Sequence, residues 1–172
     1  MLGLKEFNLD SYMFRFLWQP LKKAGRLFDF MEIRSTYILA LPLFAMGLYG
    51  VYHQEMIPAV MLKYIPEFFA LIGLIFVLKA FVERKSALNA WVLIMVNQLF
   101  QSLTFGFNEE FDYSQVHIFL SGILISTFVG IYCINKLREA KQNVSLNSFH
   151  GHAYEHPRLA FLFVIACLGL AG

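Results

Sequence analysis

The feature that most constrains this chain is a series of long apolar segments separated by short polar stretches. A helix needs about 20 mostly apolar residues to cross a bilayer. Four segments have that length: residues 35–53, 57–82, 87–107 and 114–136. A fifth, residues 159–172, has the same composition but is shorter. We therefore predict an all-α transmembrane helical bundle with four full spans and a truncated fifth.

The composition is typical of a chain whose solvent is lipid. Of the 172 residues, 58% are hydrophobic and 15% are charged, whereas soluble domains carry about 25% charged residues. The formal net charge of +2 is too small to indicate nucleic acid. The lipid bilayer is therefore the predicted partner, and no nucleic acid is expected. Cys133 and Cys167 lie in apolar segments, which predicts small core residues and neither a disulfide nor a metal pair.

Basic residues occur only in alternate connections between the predicted spans. They precede the first span, follow the second at Arg84 and Lys85, and follow the fourth. The intervening turns, "QEM" (54–56) and "NEEFDYS" (108–114), contain no Lys or Arg. Because cytoplasmic loops are enriched in Lys and Arg, we predict a multi-pass protein of the inner or cell membrane with a cytoplasmic N-terminus.

The leading segment differs from the spans because apolar and basic residues alternate in it. Its apolar residues recur near helical spacing, with Arg and Lys between them, at Phe14, Leu17, Trp18, Leu21 and Phe28. This pattern predicts an amphipathic helix at the bilayer surface, or one that runs laterally along partner subunits. We accordingly divide the chain into this helix, residues 1–34, and a transmembrane domain, residues 35–172.

Ionisable residues inside the second predicted span are the first functional candidates, because charge is expensive in hydrocarbon. Lys63 and Glu67 are four residues apart and can face each other on one side of a helix. Pro66 frees a backbone carbonyl one turn earlier, which can open a hydrated kink. Alternatively, the helix starts near Lys63 and both charges reach the headgroups. Lys79 is either a proton carrier or a side chain that extends to the membrane surface.

Polar residues of the third and fourth spans are further candidates for a proton path. Asn97 and Gln101 share one face near mid-membrane, where they line a hydrated path or join neighbouring helices. His117 opens the fourth span on the side where His53 ends the first. Two histidines at one depth could also ligate a b-type haem, but no cofactor is predicted.

Three histidines precede the last apolar segment. His150, His152 and His156 lack the fixed spacing of a zinc site. They are interpreted as loop residues ahead of a helix that Pro157 begins. No metal site is predicted.

This loop and helix resemble those of the antiporter-like, proton-conducting membrane subunits found in respiratory complex I, Mrp-type sodium/proton antiporters and related bicarbonate-uptake systems. The matching residues are Gly151, Pro157, Leu159, Ala160, Phe163, Ala166, Leu168, Gly169, Leu170, Ala171 and Gly172. The resemblance covers about residues 148–172, and the rest shares topology. In "HIFLSG" (117–122), His117 matches a family histidine, but Ser121 stands where the family tends to have a lysine. Since the family has around fourteen helices, the resemblance implies a fragment or a split-gene product.

The resemblance implies that this chain is part of a subunit that moves protons or sodium through a polar path, driven by other membrane subunits of a larger complex. No chemistry of its own is expected, although the complex would be NADH-quinone oxidoreductase-like or another ion-transport assembly. The predicted proton-path residues are Glu67, Lys63, Lys79, His117, Asn97 and Gln101. Two alternatives stay open: a non-catalytic membrane subunit or assembly protein, and a small b-type haem protein that uses His53 and His117.

Overall fold

The computed structural model describes residues 12–13, 15–16, 19–26, 33–108, 113–141 and 152–171. These residues form helices and short turns, without a β-strand, which confirms the all-α prediction for the described part of the chain. The helices are α1 (Gln19–Arg26), α2 (Ile33–Tyr52), α3 (Ala59–Leu62), α4 (Ile65–Val82), α5 (Ala87–Gly106), α6 (Tyr113–Lys141), α7 (His152–Glu155) and α8 (Pro157–Ala171). A short 3-10 turn, Gln54–Met56, follows α2.

Among these residues, two helical stretches are long and apolar enough to cross a membrane, Ala59–Val82 and Ser114–Ala140. Only 28% and 33% of their most apolar windows are buried, so most of their apolar surface faces outward. The core helix of a soluble protein buries such a surface. Thr36–Tyr52 and Pro157–Leu170 are shorter apolar helices. The described structure therefore indicates a membrane protein with two candidate spans.

The second predicted span, residues 57–82, is interrupted near its start. Helix α3 ends at Leu62, Lys63 and Tyr64 form a turn, and α4 begins at Ile65. The cause is Pro66, whose ring nitrogen has no proton to donate to the carbonyl one turn earlier. The backbone N–H groups in the first turn of a helix have no acceptor within that helix. A proline in the first turn of α4 therefore costs no hydrogen bond of α4.

The starts of two other helices follow from single residues. The Ser86 hydroxyl accepts a 3.3 Å hydrogen bond from the backbone nitrogen of Asn89 and caps α5. Pro157 is the first residue of α8, which confirms the sequence interpretation of that position. Local chemistry therefore sets both boundaries close to where the sequence predicts them.

Helix α6 is longer than the predicted span 114–136, because it continues to Lys141. Its 29 residues extend about 43 Å, at roughly 1.5 Å per residue, whereas the hydrocarbon core of a bilayer is about 30 Å thick. The last turns are polar and include a 2.7 Å ion pair between Lys136 and Glu139. The extension therefore consists of residues that favour water or headgroups over hydrocarbon.

Helix α5 is the centre of the bundle and contacts α2, α4 and α6. Its Leu93, Phe100 and Leu103 side chains are almost completely buried. The Phe100 ring stacks against Phe76 of α4 with a centroid distance of 5.5 Å. Helix α1, which belongs to the predicted segment 1–34, contacts α4. Residues 1–11, 14, 17–18 and 27–32 of that segment lie outside the described part.

One tryptophan joins α5 to the second half of the bundle. The Trp91 ring lies against Gly130 of α6, where a Cβ atom would overlap it. Its Nε1 donates a 3.4 Å hydrogen bond to the carbonyl of Thr127, and its ring lies 5.0 Å from Phe163 of α8. Gly169 of α8 packs closely on Ser126 of α6 in the same way. Small residues therefore set the spacing of these helices, as in other membrane bundles.

Replacement of Gly130 by alanine tests this packing. The added Cβ would overlap the indole of Trp91, so we expect Gly130→Ala to destabilise the bundle by about 1–3 kcal/mol. Gly122→Ala is the matched control on the same helix, because a Cβ there meets nothing within 4 Å. Thermal unfolding in detergent micelles measures both. Equal melting temperatures for the two variants would contradict the described packing of Trp91.

Candidate functional site

The predicted site residues lie at two ends of the bundle and between them. The end where α2 stops and α6 starts is here called the histidine end, because Tyr52 Oη and His117 Nε2 lie 2.7 Å apart there. The opposite end, where Arg84 and Lys85 connect α4 to α5, is called the basic end. Helix α4 runs from the histidine end to the basic end.

Lys63 and Glu67 lie at the histidine end of α4. Both side chains are exposed, and they do not form an ion pair with each other within the described structure. Lys63 Nζ lies 6.0 Å from the centroid of the Tyr64 ring. Glu67 is in the first turn of α4, where a carboxylate is favoured by the helix dipole. This placement favours the interpretation in which both charges reach the headgroups.

The two histidines of the haem alternative lie at this same end, and each has a partner. His117 contacts the Tyr52 hydroxyl, which joins α6 to α2. His53 Nδ1 donates to the Tyr49 carbonyl at 3.1 Å, and its ring stacks on that of Tyr49 with a centroid distance of 4.1 Å. Both side chains are exposed. Tyrosine is enriched at membrane–water interfaces, where its hydroxyl can bond to polar side chains.

Asn97 and Gln101 border the interface between α4 and α5. A Cβ at Gly73 of α4 would lie 2.6 Å from Asn97 Oδ1 and 3.4 Å from Gln101 Nε2. Farther along the same interface, the Thr104 hydroxyl donates a 3.3 Å hydrogen bond to the Pro66 carbonyl. These side chains form a polar seam, here defined as Asn97, Gln101 and Thr104 of α5 against α4. The seam joins two helices through polar contacts inside an otherwise apolar bundle.

Lys79 is buried near the basic end of α4. Its relative exposure is 7%, unlike the exposed Arg84 and Lys85 that follow. Glu83 is half-buried one turn later, so Lys79 and Glu83 share one side of the helix. The Tyr37 hydroxyl of α2 is buried, and Glu83 is close enough to act on it electrostatically. Tyr37 and Glu83 therefore lie near this end of the bundle, where Lys79 is buried.

Sequence reasoning missed Glu83 and Tyr37. The spacing of Lys79 and Glu83 is visible in the sequence as two charges four residues apart, and this signal could have included Glu83. No sequence signal marks Tyr37, because its position depends on how α2 packs against α4. Lys79 is thus the one predicted path residue that is buried within the described ranges.

The other histidines contribute no site to the described structure. His150 lies outside the described residues, as do Gly151 and Gly172 of the proposed family match. His156 is half-buried, and its carbonyl accepts a 3.0 Å hydrogen bond from the nitrogen of Ala160 at the start of α8. Within the described residues, there is no group of three or more His, Cys, Asp or Glu side chains that could hold a metal ion.

A pocket of about 360 Å³ opens at the histidine end between α5 and α6. It is lined by Phe105, Gln115, Val116, Ile118 and Phe119. Gln115 is the one polar side chain in this lining, and none of the five residues is charged. The pocket is therefore mostly apolar, whereas the seam is polar and Lys79 is a charged residue.

Comparison with protein-family models, with curated proteins and with solved structures finds no match for this chain. The likeness of residues 148–172 to antiporter-like subunits consequently remains a prediction from the sequence.

The contact at Gly73 gives a direct test of the seam. In Gly73→Ala the new Cβ would overlap Asn97 Oδ1, so we expect a loss of stability of about 1–3 kcal/mol. In Gly73→Ala/Asn97→Ala the oxygen is gone, and the double variant should melt higher than the sum of the two single changes predicts. Thermal unfolding in micelles checks this. Strictly additive shifts would mean that Asn97 does not lie against Gly73.

Proposed function

We propose that this chain is part of a membrane-embedded, antiporter-like subunit that translocates protons or other cations, driven by partner subunits of a larger complex. Four full spans, 35–53, 57–82, 87–107 and 114–136, cross the bilayer with the N-terminus in the cytoplasm, and 159–172 is a shorter fifth apolar segment. Outward-facing apolar surface on the candidate helices supports a bilayer location. The alternation of basic and non-basic connections supports the orientation.

The observation that carries this proposal is the burial of Lys79. An ammonium inside a helical bundle costs at least several kcal/mol relative to water. Side chains of this kind face the interior of a bundle where they serve ion or proton movement. Lys79 has that position, at 7% exposure and four residues before Glu83. We therefore assign it the central role that the sequence alone divided between Lys79 and the pair Lys63 and Glu67.

The remaining polar residues complete a path along α4. Glu67 lies at the histidine end, the seam meets α4 at Gly73, and Lys79 lies near the basic end. Each step covers six residues, or about 9 Å along the helix axis. Protons would cross such distances through a few bridging waters, with Asn97 and Gln101 as hydrogen-bonding groups and His117 at the histidine-end entrance.

The first prediction concerns Lys79 in the intact protein within its native complex. Lys79→Met keeps an unbranched side chain but removes the charge, so we expect proton flux to fall by tenfold or more. Lys85→Met is the control, because Lys85 is an exposed residue of the neighbouring turn. Quenching of a pH-sensitive dye in inverted membrane vesicles measures the flux. Unchanged flux in Lys79→Met would refute the central role of this lysine.

The second prediction concerns the orientation of the chain. In a variant with Cys133 and Cys167 replaced by serine, a cysteine at Glu55 should react with a membrane-impermeant maleimide added to intact cells. A cysteine at Lys85 should react only after the membrane is opened. Both positions are exposed in the protein, so the difference depends on the membrane and not on folding. The reverse pattern would overturn the predicted topology.

A non-catalytic membrane subunit or assembly protein is the second candidate, and the seam favours it. Asn97 lies against Gly73, and Thr104 donates to the Pro66 carbonyl, so part of the polar side chains bonds helix to helix. In that case Lys79→Met would lower the yield of the assembled complex and leave the flux per complex unchanged. The ratio of flux to assembled complex therefore separates the two functions.

A further inference from the structure

The pocket between α5 and α6 is large and open to the outside of the bundle. Its volume is about 360 Å³, whereas an apolar cavity of about 150 Å³ is already enough to hold a benzene molecule. Part of its wall is an edge-to-face contact between Phe105 of α5 and Phe119 of α6, whose ring centroids are 5.4 Å apart. Ile118 also lines the pocket and is 71% exposed, so it lies at the opening. A molecule can therefore enter from beside the bundle.

The lining of the pocket favours hydrocarbon over water. An ordered water needs two to four polar partners. Among the described residues that line the pocket, Gln115 is the single polar one, and it is exposed. Apolar cavities of this kind stay dry and accept apolar ligands. For a chain that lies in a bilayer, the apolar molecules at hand are lipid acyl chains.

An open groove continues from the pocket along α6. Residues spaced by three or four positions lie on one side of a helix, and α6 has such a series at Gln115, Phe119, Gly122 and Ser126. Gly169 of α8 packs closely on Ser126 and covers it. One turn nearer the histidine end, a Cβ at Gly122 would meet nothing within 4 Å. The described part of α8 thus leaves this side of α6 open between Ser126 and the pocket.

The length of the groove corresponds to one leaflet of a bilayer. Between Gln115 and Ser126, α6 rises about 16 Å, at roughly 1.5 Å per residue. The hydrocarbon core is about 30 Å thick, so one leaflet contributes about 15 Å. Ser126 is near the middle of the predicted span 114–136, and the pocket is near its histidine end. A partner helix in this groove would have to end in mid-membrane, where its terminal backbone groups would lack hydrogen bonds. An acyl chain has no such groups.

We propose that one acyl chain of a phospholipid binds in this pocket and along the groove, with its headgroup at the histidine end. The chain contacts Phe105, Ile118 and Phe119 in the pocket and passes over Gly122 towards Ser126. The exposed amide of Gln115 donates a hydrogen bond to an oxygen of the lipid ester or phosphate. The site requires a bilayer location and is independent of the proposed translocation of cations.

Replacement of Gly122 by phenylalanine tests the site, because the ring would occupy the groove while its Cβ meets nothing within 4 Å. Ser121→Phe is the matched control, since it adds the same ring at an exposed position about 100° around the helix. The purified full chain is stripped of lipid, titrated with palmitoyl-oleoyl phosphatidylcholine and measured by native mass spectrometry. Wild type and Ser121→Phe should retain one lipid per chain, and Gly122→Phe should bind it at least tenfold more weakly. Equal retention by all three proteins would overturn the site.

A photoreactive lipid locates the acyl chain without any substitution. Phosphatidylcholine with a diazirine in the middle of one acyl chain is mixed into bilayers that contain the wild-type protein, and the adducts are mapped by peptide mass spectrometry. We expect severalfold more adducts at residues 115–122 than at Phe161 and Leu168, which are exposed apolar residues of α8. Equal labelling of both regions would indicate only ordinary contact of lipid with the bundle surface, and the proposed site would be wrong.

Native membranes distinguish a lipid from a helix of another protein. Cells that incorporate a photoreactive fatty acid into their phospholipids should give the same adducts at residues 115–122. Absence of these adducts in cells would overturn the proposal even if the purified chain were labelled. In that case Gly122→Cys, with Cys133 and Cys167 replaced by serine, would form a disulfide with a cysteine of the helix that fills the groove.

Discussion

The close approach of α4 and α5 at Gly73 is the contact on which the rest of the bundle depends. Because glycine has no side chain, the amide of Asn97 reaches the backbone of α4. The same approach places the Phe76 ring in a stack with Phe100. Lipid offers no hydrogen bonds, so amides in a membrane helix must face another helix. In the proposed bilayer location, this requirement orients α5, and the orientation of α5 determines which sides of α2, α4 and α6 become interior.

The central helix is therefore not one of the two candidate spans. Asn97, Gln98 and Gln101 lower the hydropathy of α5, although its 20 residues are enough to cross a bilayer. Its neighbours α4 and α6 contain more apolar stretches, and most residues of those stretches face outward. A soluble bundle has the opposite distribution, with its most apolar helix inside. Both patterns follow from one rule, that each surface matches the medium it meets.

Much of the fold could be predicted from the sequence, because local chemistry determines it. Ser86 caps α5 and Pro157 begins α8, and both lie within a few residues of the predicted boundaries. The sequence left the break at Lys63–Tyr64 open, since a proline after an apolar run fits either a kinked span or a helix that starts near Lys63. The burial of Lys79 could not be predicted, because hydropathy does not say which helices are neighbours. The nearness of Tyr37 to Glu83 depends on that neighbourhood.

Helix α4 and the turn before it contain the same charge spacing twice, and burial alone separates the two pairs. Lys63 and Glu67, like Lys79 and Glu83, are a lysine followed four residues later by a glutamate. The first pair is exposed, so water stabilises each charge separately and the two groups need not interact. In the second pair the lysine is buried, so its side chain has lost most of its contact with water.

Lys79 and Glu83 have the spacing that places two side chains on one side of a helix, which suits the proposed proton movement. A lysine and a glutamate together have no net charge when both groups are ionised, and they still have none after a proton has passed from the ammonium to the carboxylate. Internal transfer therefore avoids the large cost of adding net charge to a low-dielectric interior. The costly step is the arrival of a proton from outside, which adds a charge to the two groups.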